Sequence, residues 1–362
     1  MRWELAEEQD LFRQSLRGWI EKVASSESVR SWLATGDPSD FEKRLADEGW
    51  LAVGAPEERG GQGGGLLELT LTAEELARRA APAAAWAASV VALPALPDDV
   101  APDVLEGGGF AALAVDAGRP IGASHVGESP TFVVAADGAV SGRVNAVLGG
   151  DRASRLVVPV SEAEGVRLYL VDASKAGVTR TPHELLDRSR SVADVALDGA
   201  PGTLLDVDAA SVLATAALRA AVLVAADSLG AMERMLEMAV DYSLQRKQFG
   251  VPIGSFQAVK HAAATMLVSV EAARSIVYFA ASSVEEGQTE SALHAAIAKA
   301  QVCRDASNAA ETALTMHGAI GYTWEHDLHL LYKRVKLNAR LFGSPTAWNE
   351  RIARVLPLVP EG

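Results

Sequence analysis

DYSLQRKQFGVPIGSFQ, residues 241–257, lies between two long apolar runs. The spacing predicts that one helix delivers Arg246 and Lys247 to its end. Phe249 and Gly250 follow, then a Pro-Gly turn, and Phe256-Gln257 opens the next helix. Arginine at a helix end, a flat aromatic and a backbone turn make a place that can hold a phosphate and a ring. The alternative for these residues is an arginine capping carbonyls at a helix end, with Phe249 in a core.

Outward from this stretch, residues 206–362 read as helices. Residues 211–247 form one long helix, apolar on most sides, which calls for neighbours all round. A second helix begins near Ser255. A third ends at Gly318, with Thr289 or Ser291 as its expected cap. Shorter helices follow at HDLHLLYKRVKLNARLF and PTAWNERIARVLPL. Residues 1–105 are also helical: Leu5, Leu11, Leu16, Trp19 and Ile20 share one face, a second helix ends at Gly49, and a third region breaks at Pro82. Between them, residues 106–205 change to short alternating runs rich in Val and Leu, with Asp137-Gly138 as a hairpin signal. The expected fold is α+β: an N-terminal helical domain (1–105), a small antiparallel β-domain (106–205) and a C-terminal four-helix bundle (206–362). The absence of an alternating βαβ order argues against a Rossmann arrangement.

Composition narrows the function. A chain of 362 residues implies two or three domains. A net charge of −14 repels nucleic acid. The single cysteine, Cys303, allows no internal disulfide, fits a cytoplasmic location, and reads as a small core residue. The N-terminus carries acids and lacks the apolar core of a signal peptide. The Ala-rich run from Ala209 to Ala226 contains Arg219 and reads as a buried helix, not a membrane span. The glycines at 60, 61, 63, 64 and 65 read as a loop, since they do not follow a strand and open a helix. His326 and His329 lie at i,i+3, but no further His/Cys set accompanies them, so no metal site is expected.

The 241–257 stretch resembles the flavin-arm motif of the acyl-CoA dehydrogenases, R-x-x-F-G-x-x-[I/L]-x-x-x-Q, with Arg246, Phe249 and Gln257 on matching positions. Other strings resemble the same family in order along the chain: LAEEQDLFRQSLRGWI, DEGWLAVGAPEERGGQGGG, GVTRTPHELLDRSRSVADVALDGAP, and MHGAIGY followed by WEHDLHLLYKRVK. The resemblance implies FAD as cofactor, held at its pyrophosphate end by an arm that crosses to a neighbouring subunit. It implies Arg246, Gln248, Phe249, Gln257, Thr315, Gly318 and Ala319 as flavin contacts, although Thr315 and Ala319 replace the family's glutamine and second glycine.

Family members oxidise a CoA thioester at Cα–Cβ. A glutamate removes the α-proton, and a partly desolvated carboxylate suits that task. In most members it belongs to a Tyr-Glu-Gly-Thr string; here the matching string is Leu341-Phe342-Gly343-Ser344. In a minority it lies on the long helix, where this chain has Ala220 between Arg219 and Ala221. The family's flavin-ring strings also fade. AVDAGRPIGASHVG (114–127) keeps only Ser124 as a nearby hydroxyl, and RVNAV (143–147) puts Asn145 and Val147 where an aromatic and a threonine are expected. No catalytic residue is therefore assigned. The pattern resembles the shorter subunit of bacterial α2β2 acyl-CoA dehydrogenases, which completes the FAD site of a longer catalytic partner; that analogy extends to sterol side-chain thioesters, with acyl-CoA bound mainly through the partner. Two alternatives remain at this stage: a homotetramer with a relocated base among Glu325, Asp327 and Glu350, and a flavin-free scaffold.

Overall fold

The computed structural model describes residues 5–122 and 131–356. Helices come first: α1 (Glu7–Val23), α2 (Ser26–Thr35), α3 (Ser39–Asp47), α4 (Leu66–Arg78), α5 (Ala84–Ala92) and α6 (Ala101–Leu105). On α1, Leu16 and Ile20 are buried as expected, but Leu11 is 59% exposed. Phe12 takes the inward position instead, edge-on to Trp50 at 5.9 Å. The segment around Pro82 separates α4 from α5, and the glycine-rich stretch is a loop closed by an Ala55–Gly63 bridge.

The sheet comprises β1 (Ala111–Leu113), β2 (Phe132–Val134), β3 (Ala139–Leu148), β4 (Arg155–Glu162), β5 (Gly165–Asp172), β6 (Val178–Pro182) and β7 (Val192–Leu204), in the order β1-β4-β5-β7-β3-β2, with β6 also on β7. Strand β7 joins two halves: Val192 to Pro201 pair with β3, and Gly202 to Leu204 pair with β5. Among the described residues the antiparallel expectation holds for every strand pair but one. Strand β1 runs parallel to β4, Ala111 opposite Arg155, because the chain between them returns through the β2–β3 hairpin.

The last part is built on α7 (Ala209–Gln245), α8 (Gln257–Glu285) and α9 (Ser291–His317), with α10 (Leu328–Asn338) and α11 (Pro345–Val355) packed against them. Asp208 caps α7 by accepting from the amides of Ala210 and Ser211. At 37 residues α7 is about 55 Å long. Helix α4 lies against it so closely that a Cβ on Gly230 would sit 2.0 Å from the Glu74 carbonyl oxygen. Glu74, fully buried there, accepts from Arg274 at 3.0 Å and from the Tyr278 hydroxyl at 2.8 Å, tying α4 to α8. The expected cap of α9 is corrected: the capping position is Glu290, with no side-chain hydrogen bond, and neither Thr289 nor Ser291 performs it. Gly318 does end α9, at φ +65°. Cys303 is fully buried, its sulfur 3.5 Å from Ser228 Oγ.

By length and apolarity, α7 and α8 each contain a stretch able to cross a membrane. Most of the α7 stretch is buried in the bundle, as expected for a core helix. The α8 stretch is only 22% buried, leaving Leu267 and Val268 open to solvent.

Candidate functional site

The polypeptide leaves α7 at Arg246, whose backbone turns extended (φ −72°, ψ 124°). A two-stranded ribbon follows, β8 (Lys247–Gln248) with β9 (Val251–Pro252), Gln248 opposite Val251. The two residues at its tip, Phe249 and Gly250, have φ of +53° and +81°. Positive φ at both central residues is the requirement of a type I′ hairpin. Glycine meets it freely; phenylalanine does so against strain of about 1–3 kcal/mol. The Arg246 carbonyl accepts from the Ile253 amide at 2.7 Å and closes the base of the ribbon.

The core-and-cap alternative for this stretch does not survive. Phe249 is 93% exposed, touching only the edge of Phe256 at 6.2 Å. Arg246 is exposed, and its guanidinium has no hydrogen-bond or ion-pair partner among the described residues. Gln248 and Gln257 are exposed as well.

The late turn comes to the same end of the bundle, because α7 and α9 run parallel and finish together. Tyr242 stacks on His317 at 4.8 Å and 21°, locking the two helix ends. Beyond His317 a 3-10 turn covers Gly318–Tyr322. Thr315, Gly318 and Ala319 are exposed, while Gly321 is packed so tightly that a Cβ would lie 2.9 Å from Leu314 Cδ1. The Thr315 hydroxyl donates to the Glu311 carbonyl at 2.8 Å.

The two positions expected for a base also meet, though 122 residues apart in the numbering. Ala220 and Phe342 line one void of about 20 Å³, with Trp86, Leu341, Arg190 and Asp227. That volume admits a single water. Ligand pockets are about 300–1,000 Å³. Phe342 is 3% exposed, again at positive φ (+52°), and is held from several sides. Its amide donates to the Ala117 carbonyl at 2.5 Å, and its carbonyl accepts from Trp348 Nε1 at 2.8 Å. Lys299, fully buried, donates to the carbonyls of Asn338 and Gly343 at 3.0 and 2.9 Å, pinning both ends of the loop. Ser344 then caps α11 through the Ala347 amide. The Phe-Gly-Ser string is thus a fixed helix-to-helix corner.

The carboxylate beside this void is Asp227, which the sequence reading passed over. Burial alone would raise its pKa, but Arg190 and Arg334 outweigh burial and hold it at about 2. Arg334 donates to both its oxygens, at 2.8 and 2.6 Å; Asn338 Nδ2 adds a bond at 2.7 Å, and Arg190 pairs with it too. Such a group is a poor proton acceptor at neutral pH. The signal available in the sequence was a lone acid inside an apolar helical run, which demands a buried cation elsewhere. Glu325 and Glu350 are exposed, Asp327 is paired with Arg30, and none of the three lines the void.

The two ring-binding strings share one cleft of about 210 Å³, lined by residues 114–116, 119–122 and 143–145. Asn145 is exposed there, whereas Val147 is fully buried in the sheet and offers the cleft no hydroxyl. Ser124 lies outside the described residues. His326 sets its ring against His317 at 4.7 Å and His329 against Trp324 at 4.8 Å, so the two imidazoles take different partners.

Comparison with known proteins agrees with the fold. The family described as acyl-CoA dehydrogenase, N-terminal domain, matches residues 6–97, and acyl-CoA dehydrogenase, C-terminal domain, matches 211–356. The acyl-CoA dehydrogenase IpdE2 of Mycolicibacterium smegmatis is 32% identical over 348 residues, covering 94% of this chain and 96% of the relative. Among solved structures, the ChsE4-ChsE5 complex from Mycobacterium tuberculosis matches with a TM-score of 0.86 at 26% identity, over 99% of this chain and 100% of that one. The Tcur3481-Tcur3483 steroid ACAD, a G363A variant, matches with 0.84 at 26% identity, over 96% and 97%.

Proposed function

Since the chain belongs to the acyl-CoA dehydrogenase family, whose members are oxidoreductases acting on acyl-CoA, we propose that it is the non-catalytic subunit of a hetero-oligomeric, FAD-dependent acyl-CoA dehydrogenase. It completes the flavin site of a longer partner and carries neither the base nor the acyl pocket. The observation that carries this reading is the closure of the base site: Ala220 and Phe342 enclose about 20 Å³, and no free carboxylate faces it.

The arm supports the other half of the reading. An unpaired arginine on a rigid ribbon suits a pyrophosphate, because its planar fork donates two parallel hydrogen bonds. Phe249, held outward against both backbone strain and water, gains its apolar contact only from something beyond this chain. Gln248, Gln257, Thr315, Gly318 and Ala319 flank that end of the bundle and would contact the same cofactor. The bound flavin supplies the hydride acceptor; this chain's residues bind and orient it. The pyrophosphate end fits the residues present. The ring end fits less well: the cleft of about 210 Å³ is lined by Asn145 where an aromatic is expected, and Val147, where a threonine is expected, does not reach it, which leaves Thr131 to supply a hydroxyl.

The open apolar face of α8 supports an oligomer. The likeness to the ChsE4-ChsE5 complex and to the Tcur3481-Tcur3483 steroid ACAD favours a two-gene complex and, from the latter, a steroid thioester as substrate class. We place the complex in the cytoplasm. A homo-oligomer with a relocated base is disfavoured by the surface positions of Glu325 and Glu350 and the pairing of Asp327. Arg246→Ala in the purified complex is the test: FAD is lost under this reading and retained if the chain is a flavin-free scaffold.

A further inference from the structure

A second concavity, apart from the arm and the closed base site, opens where three parts of the chain meet. Helix α2 supplies Leu33 and Ala34, the loop between β6 and β7 supplies Leu185 and Leu186, and the start of α10 with the turn before it supplies Trp324 and Leu330; the enclosed volume is about 880 Å³. This falls within the range of small-molecule sites, which are mostly apolar with a few placed polar groups. Its walls expose large apolar side chains: Leu186 is 87% and Trp324 71% exposed.

Polar groups in the walls are left unanswered. His329 is 8% exposed; its ring lies against the backbone of Trp324, and neither nitrogen meets a partner in hydrogen-bond geometry. Asp187 is 5% exposed, with Oδ1 engaged by Ser189 and Oδ2 without a partner. Each unanswered buried polar atom costs about 1–3 kcal/mol. Burial, aided by Lys333 and Arg30, pushes the His329 ring down to about 4, so at neutral pH it is an uncharged donor and acceptor.

Three cations, Arg30, Arg188 and Lys333, line the concavity with two acids, Glu184 and Asp187; Arg188 pairs with Glu184 at 3.3 Å, which leaves Lys333 as the cation open to an anionic head. Lys333 sits 4.2 Å from the centroid of the Trp324 ring and has no carboxylate within ion-pair distance. Arg30, by contrast, is committed to Asp327 at 2.6 Å. Nucleic acid is excluded by the overall charge of −14. No group of three His, Cys, Asp or Glu side chains placed to hold a metal ion occurs among the described residues.

We infer that this concavity is a binding site for a small amphipathic anion: a hydrocarbon body against Leu33, Leu186, Leu330 and the Trp324 ring, an acidic head against Lys333, and a hydrogen-bonding group between Asp187 and His329. The inference stands on groups separate from the arm and does not depend on the flavin reading.

The probes are 1-anilinonaphthalene-8-sulfonate, decanoate and decanol, titrated into the full chain as purified with its partner. The site predicts one naphthalene-sulfonate bound per chain, quenching of Trp324 fluorescence that disappears in Trp324→Phe, and displacement by decanoate at least tenfold more effective than by decanol. Leu186→Glu and Lys333→Gln, both at or near the surface, should each weaken binding at least tenfold while leaving the bound FAD unchanged. Binding that neither variant alters would place the probe elsewhere and overturn the inference. Equal competition by decanol and decanoate would overturn the acidic head. Loss of FAD together with loss of probe binding would show that the groove belongs to the flavin assembly and would equally overturn a separate site.

Discussion

Ala220 on α7 and Phe342 after α10 line a single void of about 20 Å³, and they are the two positions at which the family resemblance leads to the expectation of a carboxylate. The loop that holds Phe342 is fixed by the Lys299 ammonium and the Trp348 indole. Installing a carboxylate there puts a charge into a filled core. Phe342→Glu and Ala220→Glu are expected to yield no dehydrogenation by this chain. Phe342→Ala should lower stability by about 3–5 kcal/mol, read by urea unfolding.

Arg246 can be changed without disturbing the fold, since it is exposed and its guanidinium has no hydrogen-bond or ion-pair partner among the described residues. Arg246→Ala and Arg246→Lys should each leave unfolding within about 0.5 kcal/mol of the parent. In the complex, the lysine variant should retain FAD weakly and the alanine variant should lose it on gel filtration. A drop in stability matching the loss of FAD would point to a structural role instead.

Phe249 separates binding from stability in the opposite direction. Asparagine tolerates the φ of +53° better than phenylalanine does and removes an exposed ring. Phe249→Asn should stabilise the isolated chain by up to about 1 kcal/mol while weakening FAD retention in the complex.

Acid stability should fall in two stages. His329 is pushed from the usual histidine value to about 4, so its protonation favours the unfolded chain, and stability declines as pH falls from about 6.5 to 4. Asp227 is held at about 2, so its contribution is complete above the ordinary carboxylate range and is lost as pH falls through 2. Burial pushes His317 and His326 down as well, so His329→Gln should reduce the upper stage without abolishing it. Asp227→Asn should remove the lower one and, by leaving Arg190 and Arg334 buried against a neutral partner, cost about 3–5 kcal/mol at pH 7. Circular dichroism across pH 2–8 reads both.

The order helices–sheet–helices was legible because each part carries its own period: alternation in the strands, broad apolar faces in α7 and α8. The 241–257 stretch was legible as an inter-helix turn carrying an arginine and an aromatic, but its form was not: α7 ends at Gln245, before Lys247, and the chain reverses at Phe249-Gly250 in a two-stranded ribbon ahead of the expected Pro-Gly turn. Four other things were not. The parallel β1–β4 pair depends on where the hairpin between them folds back, which alternation does not encode. The cap of α9 is Glu290 and not Thr289 or Ser291, because helix starts are set by tertiary packing as much as by side-chain preference. The Asp227–Arg190–Arg334 cluster joins residues up to 144 apart, and nothing local announces such a partner. The meeting of Ala220 with Phe342 was likewise invisible: each was readable as a missing carboxylate, but only the packed corner at Lys299 shows the space itself to be gone.

The most direct measurement is the count of FAD per chain, taken on this chain purified alone and on the complex formed with the product of its neighbouring gene. The account predicts a colourless, inactive chain and a yellow, active complex with two FAD per four chains. One FAD bound per chain, with dehydrogenation of a CoA thioester by this chain alone, would contradict it.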